Sequence, residues 1–128
     1  ELLANLARNN VPTALVSASP RVLVDAVLSS IPGNSFAFSI SADDVENPKP
    51  NPEAYVKAAH DLGVNISDCL ILEDSPTGVQ AATSSGAFTI AVPHFVEIAP
   101  KMKLRVINSL EELDFQNLQI NYELDKLI

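Results

Sequence analysis

Three short loops hold the residues best suited to chemistry: "SASP" at 17–20, "NPKPNP" at 47–52 and "EDSP" at 73–76. Glu73 and Asp74 stand side by side directly after the apolar run "CLIL". Two adjacent carboxylates where a buried strand ends are destabilising, through desolvation and mutual repulsion, unless something positive meets them. Such a pair offers hard oxygen donors of the kind Mg²⁺ takes, and Mg²⁺ keeps waters and shares phosphate oxygens. Lys49, set between Pro48 and Pro50, can neutralise charge on a phosphoryl group as it transfers. The Ser17 hydroxyl and the Ala18 N–H can donate to the oxygens of the same group. The set points to a phosphate bound beside a divalent cation.

These loops work together only if the fold brings them to one place. Leu2, Leu3 and Leu6 form a short helical stripe that ends at "RNN" and Pro12. "TALVS", "FAFSI", "CLILE" and "FTIAV" read as strands, with "RVI" as a short fifth. Between them, "PRVLVDAVLSS" predicts a helix with Ser19 as N-cap and Pro20 in its first turn. "NPEAYVKAAHDLG" predicts another, capped by Asn51, closed by Gly63, and apolar at Tyr55, Ala58, Ala59 and Leu62. "SPTGVQAATSSG" predicts a third, from Ser75 to a stop at Gly86, and "SLEEL" a brief one. Alternation of this kind means βαβ units and a largely parallel sheet, and unbroken apolar strands mean helices on both faces. Right-handed crossovers then place the three loops on one sheet edge, the edge where such folds bind ligands.

The 128 residues suffice for one domain; 47% are apolar, and the formal charge of −8 with scattered Lys and Arg argues against nucleic acid or an anionic membrane as a partner, since both need basic surface. No apolar run approaches membrane-spanning length and no basic-then-apolar leader opens the chain. The single cysteine, Cys69, falls in an apolar run as a small buried hydrophobe, in keeping with a cytoplasmic location. The chain opens at Glu1, inside a helical pattern, which points to processing or truncation.

These motifs resemble the haloacid dehalogenase (HAD) superfamily of hydrolases, in the branch of β-phosphoglucomutase and the sugar-phosphate phosphatases. "ALVSAS" is similar to the family's second motif, "KPNPEAY" to its third and "LILEDSPTGVQAA" to its fourth, over residues 1–113 or so. The resemblance implies a Rossmann-like α/β three-layer sandwich with a mainly parallel sheet, incomplete at the N-terminus. It implies that Ser17 binds phosphate, that Lys49 stabilises the phosphoryl group and the nucleophile, and that Glu73 and Asp74 hold Mg²⁺. The expected substrate is a small phosphorylated metabolite, hydrolysed through a phospho-aspartyl intermediate. Pro48 departs from the glycine usual before the lysine.

A larger departure is the absence of the family's first motif, D-x-D after an N-terminal strand, which supplies the nucleophile and the general acid. "ADD" at 42–44 and "LDK" near the C-terminus do not match it, and the helical cap domain is missing too. Residues 1–114 therefore read as the C-terminal part of a HAD-like core, with 115–128 as a tail of unassigned structure. In the family the missing strand lies between those ending at Ser17 and Glu73. Two inner edges would be unpaired without it, so an N-terminal segment or a second chain is expected to complete the sheet.

Simpler readings stand beside these. Taken singly, Ser17 is a strand-end cap, Lys49 a solvated loop lysine, and Glu73–Asp74 a cluster complementing a helix dipole. His60 reads as surface, His94 as a loop residue near the active edge, and Asp43, Asp44, Glu46, Glu111 and Glu112 as solvated surface. Two functions remain open: a phosphatase, or a phosphosugar mutase, whose nucleophile lies outside these residues, or a non-catalytic, receiver-like module that keeps the pocket. A receiver would carry its acidic pair on the first strand, whereas Lys49 here precedes Glu73 and Asp74.

Overall fold

In the computed structural model, which describes residues 1–31, 33–93, 97–101 and 103–119, strands and helices alternate along the chain. The order is α1 (Leu2–Arg8), β1 (Thr13–Val16), α2 (Arg21–Ser29), β2 (Phe36–Ile40), α3 (Glu53–Leu62), β3 (Leu70–Glu73), α4 (Pro76–Ser85), β4 (Phe88–Ala91) and β5 (Leu104–Val106). Short 3₁₀ turns lie at Ala42–Asp44, Ile66–Asp68 and Leu110–Glu112. Every strand pairing is parallel, as the alternation predicts.

The strands form two sheets, β1–β2 and β3–β4–β5, with no ladder joining β1 to β3 among the described residues. Both expected inner edges are therefore present. Side chains alternate across the larger sheet. Phe88, Ile90 and Val92 face one side, where Leu6 of α1, Leu113 and Leu118 complete a core cluster. Ile71 faces the other side, packed with Tyr55 of α3 and with Ala81 and Ala82 of α4. Helix α3 joins the sheets, because Ala54 and Ala58 pack with Ile40 of β2 while Tyr55 packs with Ile71 of β3.

The local signals hold at most helix ends. At α3 the N-cap is Pro52 rather than Asn51, whose Oδ1 accepts the Glu53 N–H from one residue outside; Ser75 Oγ caps α4 through the Gly78 N–H, and Gly63 and Gly86 stop their helices at φ 75° and 92°. Such left-handed angles suit glycine because it has no Cβ to clash. Helix α2 differs. Ser19 does not cap it; the Arg21 N–H is instead satisfied at 2.7 Å by Asp43, from the turn after β2. Asp44 is not simply solvated either: it closes a capping box with Ser41 and pairs with Arg21. Those contacts, the Ser41 bonds first, hold the Asp44 carboxyl down at about 2.

The even covering expected of the strands holds for β4, buried at every position, and fails for β1, which is half-buried throughout. Strand β1 is an edge, with no strand paired to its inner side among the described residues. Within the segment read as a tail, residues 115–119 are helical, Leu118 is buried, and the Phe115 N–H donates to Asn5 Oδ1 at 2.8 Å. His94 and residues 120–128 lie outside the described residues.

Candidate active site

The C-terminal ends of β1 and β3 open into one cleft of ≈ 570 Å³. Ser17, Ala18, Lys49, Glu73, Asp74 and Ser75 all line it, so the candidate phosphate and metal residues of the three loops arrive at one place. This is the topological consequence of parallel strands with crossovers of one hand.

Lys49 is not a solvated loop lysine. Its side chain is 9% exposed and that of Glu73 7%, and the two form an ion pair at 2.5 Å. The same ammonium lies 2.9 Å from Tyr55 Oη and 3.3 Å from the Val16 carbonyl, with the Tyr55 ring centre 4.7 Å away. The Lys49–Pro50 peptide is cis. Tyr55 is itself hydrogen-bonded to Glu73 Oε1. Burial, followed by the charge of Glu73, pushes the Tyr55 phenol far above its ordinary range, so it stays protonated and donates.

The Val16 carbonyl is an edge group. The Ser17 N–H bonds Ile40 O of β2 at 2.9 Å. Backbone groups alternate sides along a strand, so the carbonyl of Val16 points away from β2, toward the open edge. Lys49 thus reaches from the free edge of β1 to the carboxylate that ends β3.

Glu73 and Asp74 have separate surroundings. Glu73 is buried over the first turn of α4, where a side chain at Gly78 would overlap its carboxylate. Asp74 is exposed at the cleft. Glu73 Oε2 accepts only the Asp74 N–H among the described residues, at 3.2 Å, while Oε1 serves Lys49 and Tyr55. This donor set fits a hard divalent cation: one exposed carboxylate and one free-facing carboxylate oxygen, which Mg²⁺ supplements with water and phosphate oxygens. No group of three metal-ligating side chains gathers among the described residues, so protein supplies at most part of such a shell here.

In the same cleft Ser17 Oγ accepts the Ser19 N–H at 3.1 Å, and Ala18 is exposed beside it. Because Asp43 occupies the Arg21 N–H, the α2 terminus offers an anion less than the loop pattern implies. Sequence reasoning missed Tyr55 as a site residue, placing it on the apolar stripe of α3 and in the third motif without a role. It also missed Gly78, Thr77, Asn108 and Ser109, which line the cleft. The aromatic six residues beyond Lys49 was the available signal for Tyr55; Asn108 and Ser109 had none, since they arrive from beyond β5.

A parallel α/β fold with a basic and acidic cleft at its strand ends defines the class of open α/β proteins that take ligands at that edge. The comparisons then place the chain within it. The model of the haloacid dehalogenase-like hydrolases matches residues 1–86, and the chain belongs to that family. It is 34% identical over 93 residues to a validoxylamine A 7'-phosphate phosphatase of Streptomyces hygroscopicus subsp. limoneus, covering 72% of this chain and 44% of that protein. It is 37% identical over 94 residues to a bifunctional riboflavin kinase/FMN phosphatase of Arabidopsis thaliana, covering 72% and 25%. The structure superposes on β-phosphoglucomutase from Clostridium difficile with a TM-score of 0.85 at 29% identity, over 99% of this chain and 56% of that one. The chain therefore spans between a quarter and a little over half of these relatives. Among the described residues no helix is long and apolar enough to cross a membrane.

Proposed function

We propose that this chain carries the phosphate and metal side of a Mg²⁺-dependent phosphohydrolase acting on a small phosphorylated metabolite. The observation that supports it is the single cleft in which Ser17 and Ala18 face Lys49, Glu73 and Asp74. Ser17 and Ala18 bind phosphoryl oxygens, and Lys49 neutralises charge that develops on them. Asp74 and Glu73 hold the cation, which when bound offsets further negative charge on the phosphate. The nucleophile is an aspartate outside these residues, giving a phospho-aspartyl intermediate. It arrives on a strand, from an N-terminal segment or a second chain, laid between β1 and β3 where both inner edges are open.

A mutase is the second reading, favoured by the likeness to β-phosphoglucomutase. The first test sets the intact mass of the protein beside turnover of p-nitrophenyl phosphate. Expected is Mg²⁺-dependent turnover by a species heavier than the 128-residue chain, reduced at least about 100-fold in Asp74→Asn. Turnover that survives chelation and Asp74→Asn would overturn the proposal. A species of 128 residues with no turnover would favour the non-catalytic module. A product isomeric with a phosphosugar substrate would favour the mutase.

A further inference from the structure

An ammonium carries three N–H donors, and in this structure all three of Lys49 are engaged: by Glu73 Oε1 at 2.5 Å, Tyr55 Oη at 2.9 Å and Val16 O at 3.3 Å. A lysine so satisfied has no proton left for a phosphoryl oxygen unless one bond is exchanged. The three bonds are not equal. The Glu73 bond is charge-assisted and buried, and breaking it would strand two charges away from water. The Tyr55 bond is reinforced because the same hydroxyl donates to Glu73, which closes a three-membered ring of contacts. The Val16 bond is the longest, goes to a neutral edge carbonyl, and lies in the lining of the cleft.

We infer that Tyr55 is a positioning residue, whose hydroxyl pins Lys49 against Glu73 so that only the N–H now on the Val16 carbonyl, an edge acceptor that a strand laid beside β1 would take over, is passed to a phosphoryl oxygen. The inference rests on the phosphate-site reading above. Tyr55 touches neither phosphate nor metal in it; the residue acts through Lys49. Its ring, 4.7 Å from Nζ, supports the ammonium from a second direction, so removing the hydroxyl alone tests the hydrogen bond rather than the packing.

The experiment titrates the chain with inorganic phosphate and follows the Ser17 and Ala18 amides by NMR. In the wild type, phosphate should shift the Val16 carbonyl carbon and the Lys49 NH₃⁺ signal while the Tyr55 Cζ stays in place. Tyr55→Phe should weaken phosphate by about 10-fold or more, the lower end of the scale for one bond to a charged group, and alter the Lys49 signal. Its thermal midpoint should move much less than that of Tyr55→Ala. Phosphate affinity in Tyr55→Phe within two-fold of wild type would overturn the inference, as would a Tyr55 Cζ that moves while Val16 does not. The wild-type carbon shifts decide the matter even if the Phe variant fails to fold. A wild type that binds no phosphate, or a Lys49→Met that binds it equally well, is a different failure: the phosphate-site reading falls, and this inference with it.

Discussion

Strand β4 is buried at all of its positions, while β1 is half-buried at all of its own, although both are short, apolar and parallel-paired. The contrast continues in the helices. Helix α4 buries Gly78, Val79, Ala81 and Ala82 against the larger sheet. Helix α2 buries only Val24 and leaves Val22 72% and Leu23 54% exposed. Similar βα units thus end up in different surroundings, because β4 has a neighbour on each side and β1 has one. Apolar sequence makes a strand; neighbours decide how much of it is buried. The cleft lies where the two sheets come together, and the buried Lys49–Glu73 pair spans it.

That pair gives the largest expected effect. Glu73→Ala leaves the ammonium buried beside only neutral partners and should cost about 3–5 kcal/mol, read from urea unfolding. Glu73→Gln, which keeps the packing and an acceptor, should cost less; equal losses would mean that the charge removed by both variants carries the whole contribution.

Next come paired truncations in the two sheets. Ile90→Ala in β4, at a position with no exposure, should cost about 2–5 kcal/mol, whereas Val22→Ala in α2 should stay within about 0.5 kcal/mol. A large loss from Val22→Ala would show that α2 is covered in solution.

Gly78→Ala should cost about 1–3 kcal/mol, since the new methyl displaces the Glu73 carboxylate, and unfolding curves together with Mg²⁺ titration would show both consequences. Helix propensity alone favours alanine by up to about 1 kcal/mol, so a stabilised variant would mean that Glu73 can relocate freely.

The smallest effect belongs to the exposed counterpart of the buried pair. Arg21 and Asp44 are about a third exposed, and Asp44 Oδ2 also accepts the Ser41 N–H and hydroxyl. Folding lowers the Asp44 carboxyl from 3.8 to about 2. Its contribution is therefore complete above pH 3.8 and is lost as pH falls through about 2. Asp44→Asn should flatten stability against pH across that window and cost under about 1 kcal/mol for the ion pair at neutral pH. An unchanged acid limb would remove Asp44 from the account.

The sequence by itself determined the strands, most helix ends and the candidate residues Ser17, Ala18, Lys49, Glu73 and Asp74 that reach the cleft. Those features follow from short-range physics: apolar runs between turn residues, Ser75 and Asn51 bonding amides two or three positions on, and glycines where φ must turn positive. Parallel topology then gathered Ser17, Lys49, Glu73 and Asp74 without any long-range information beyond crossover handedness. The tertiary structure alone decided which groups finish the work at a distance. Asp43 reaches across 22 residues to cap α2, where Ser19 was the local candidate. Tyr55 turned from one residue of an apolar stripe into the hydroxyl between Lys49 and Glu73. Glu73 and Asp74, alike in sequence, separated into a buried partner and an exposed one. Periodicity specifies the face a side chain occupies, but the partner that meets a polar tip there depends on how helices and sheets pack, and no local pattern encodes that.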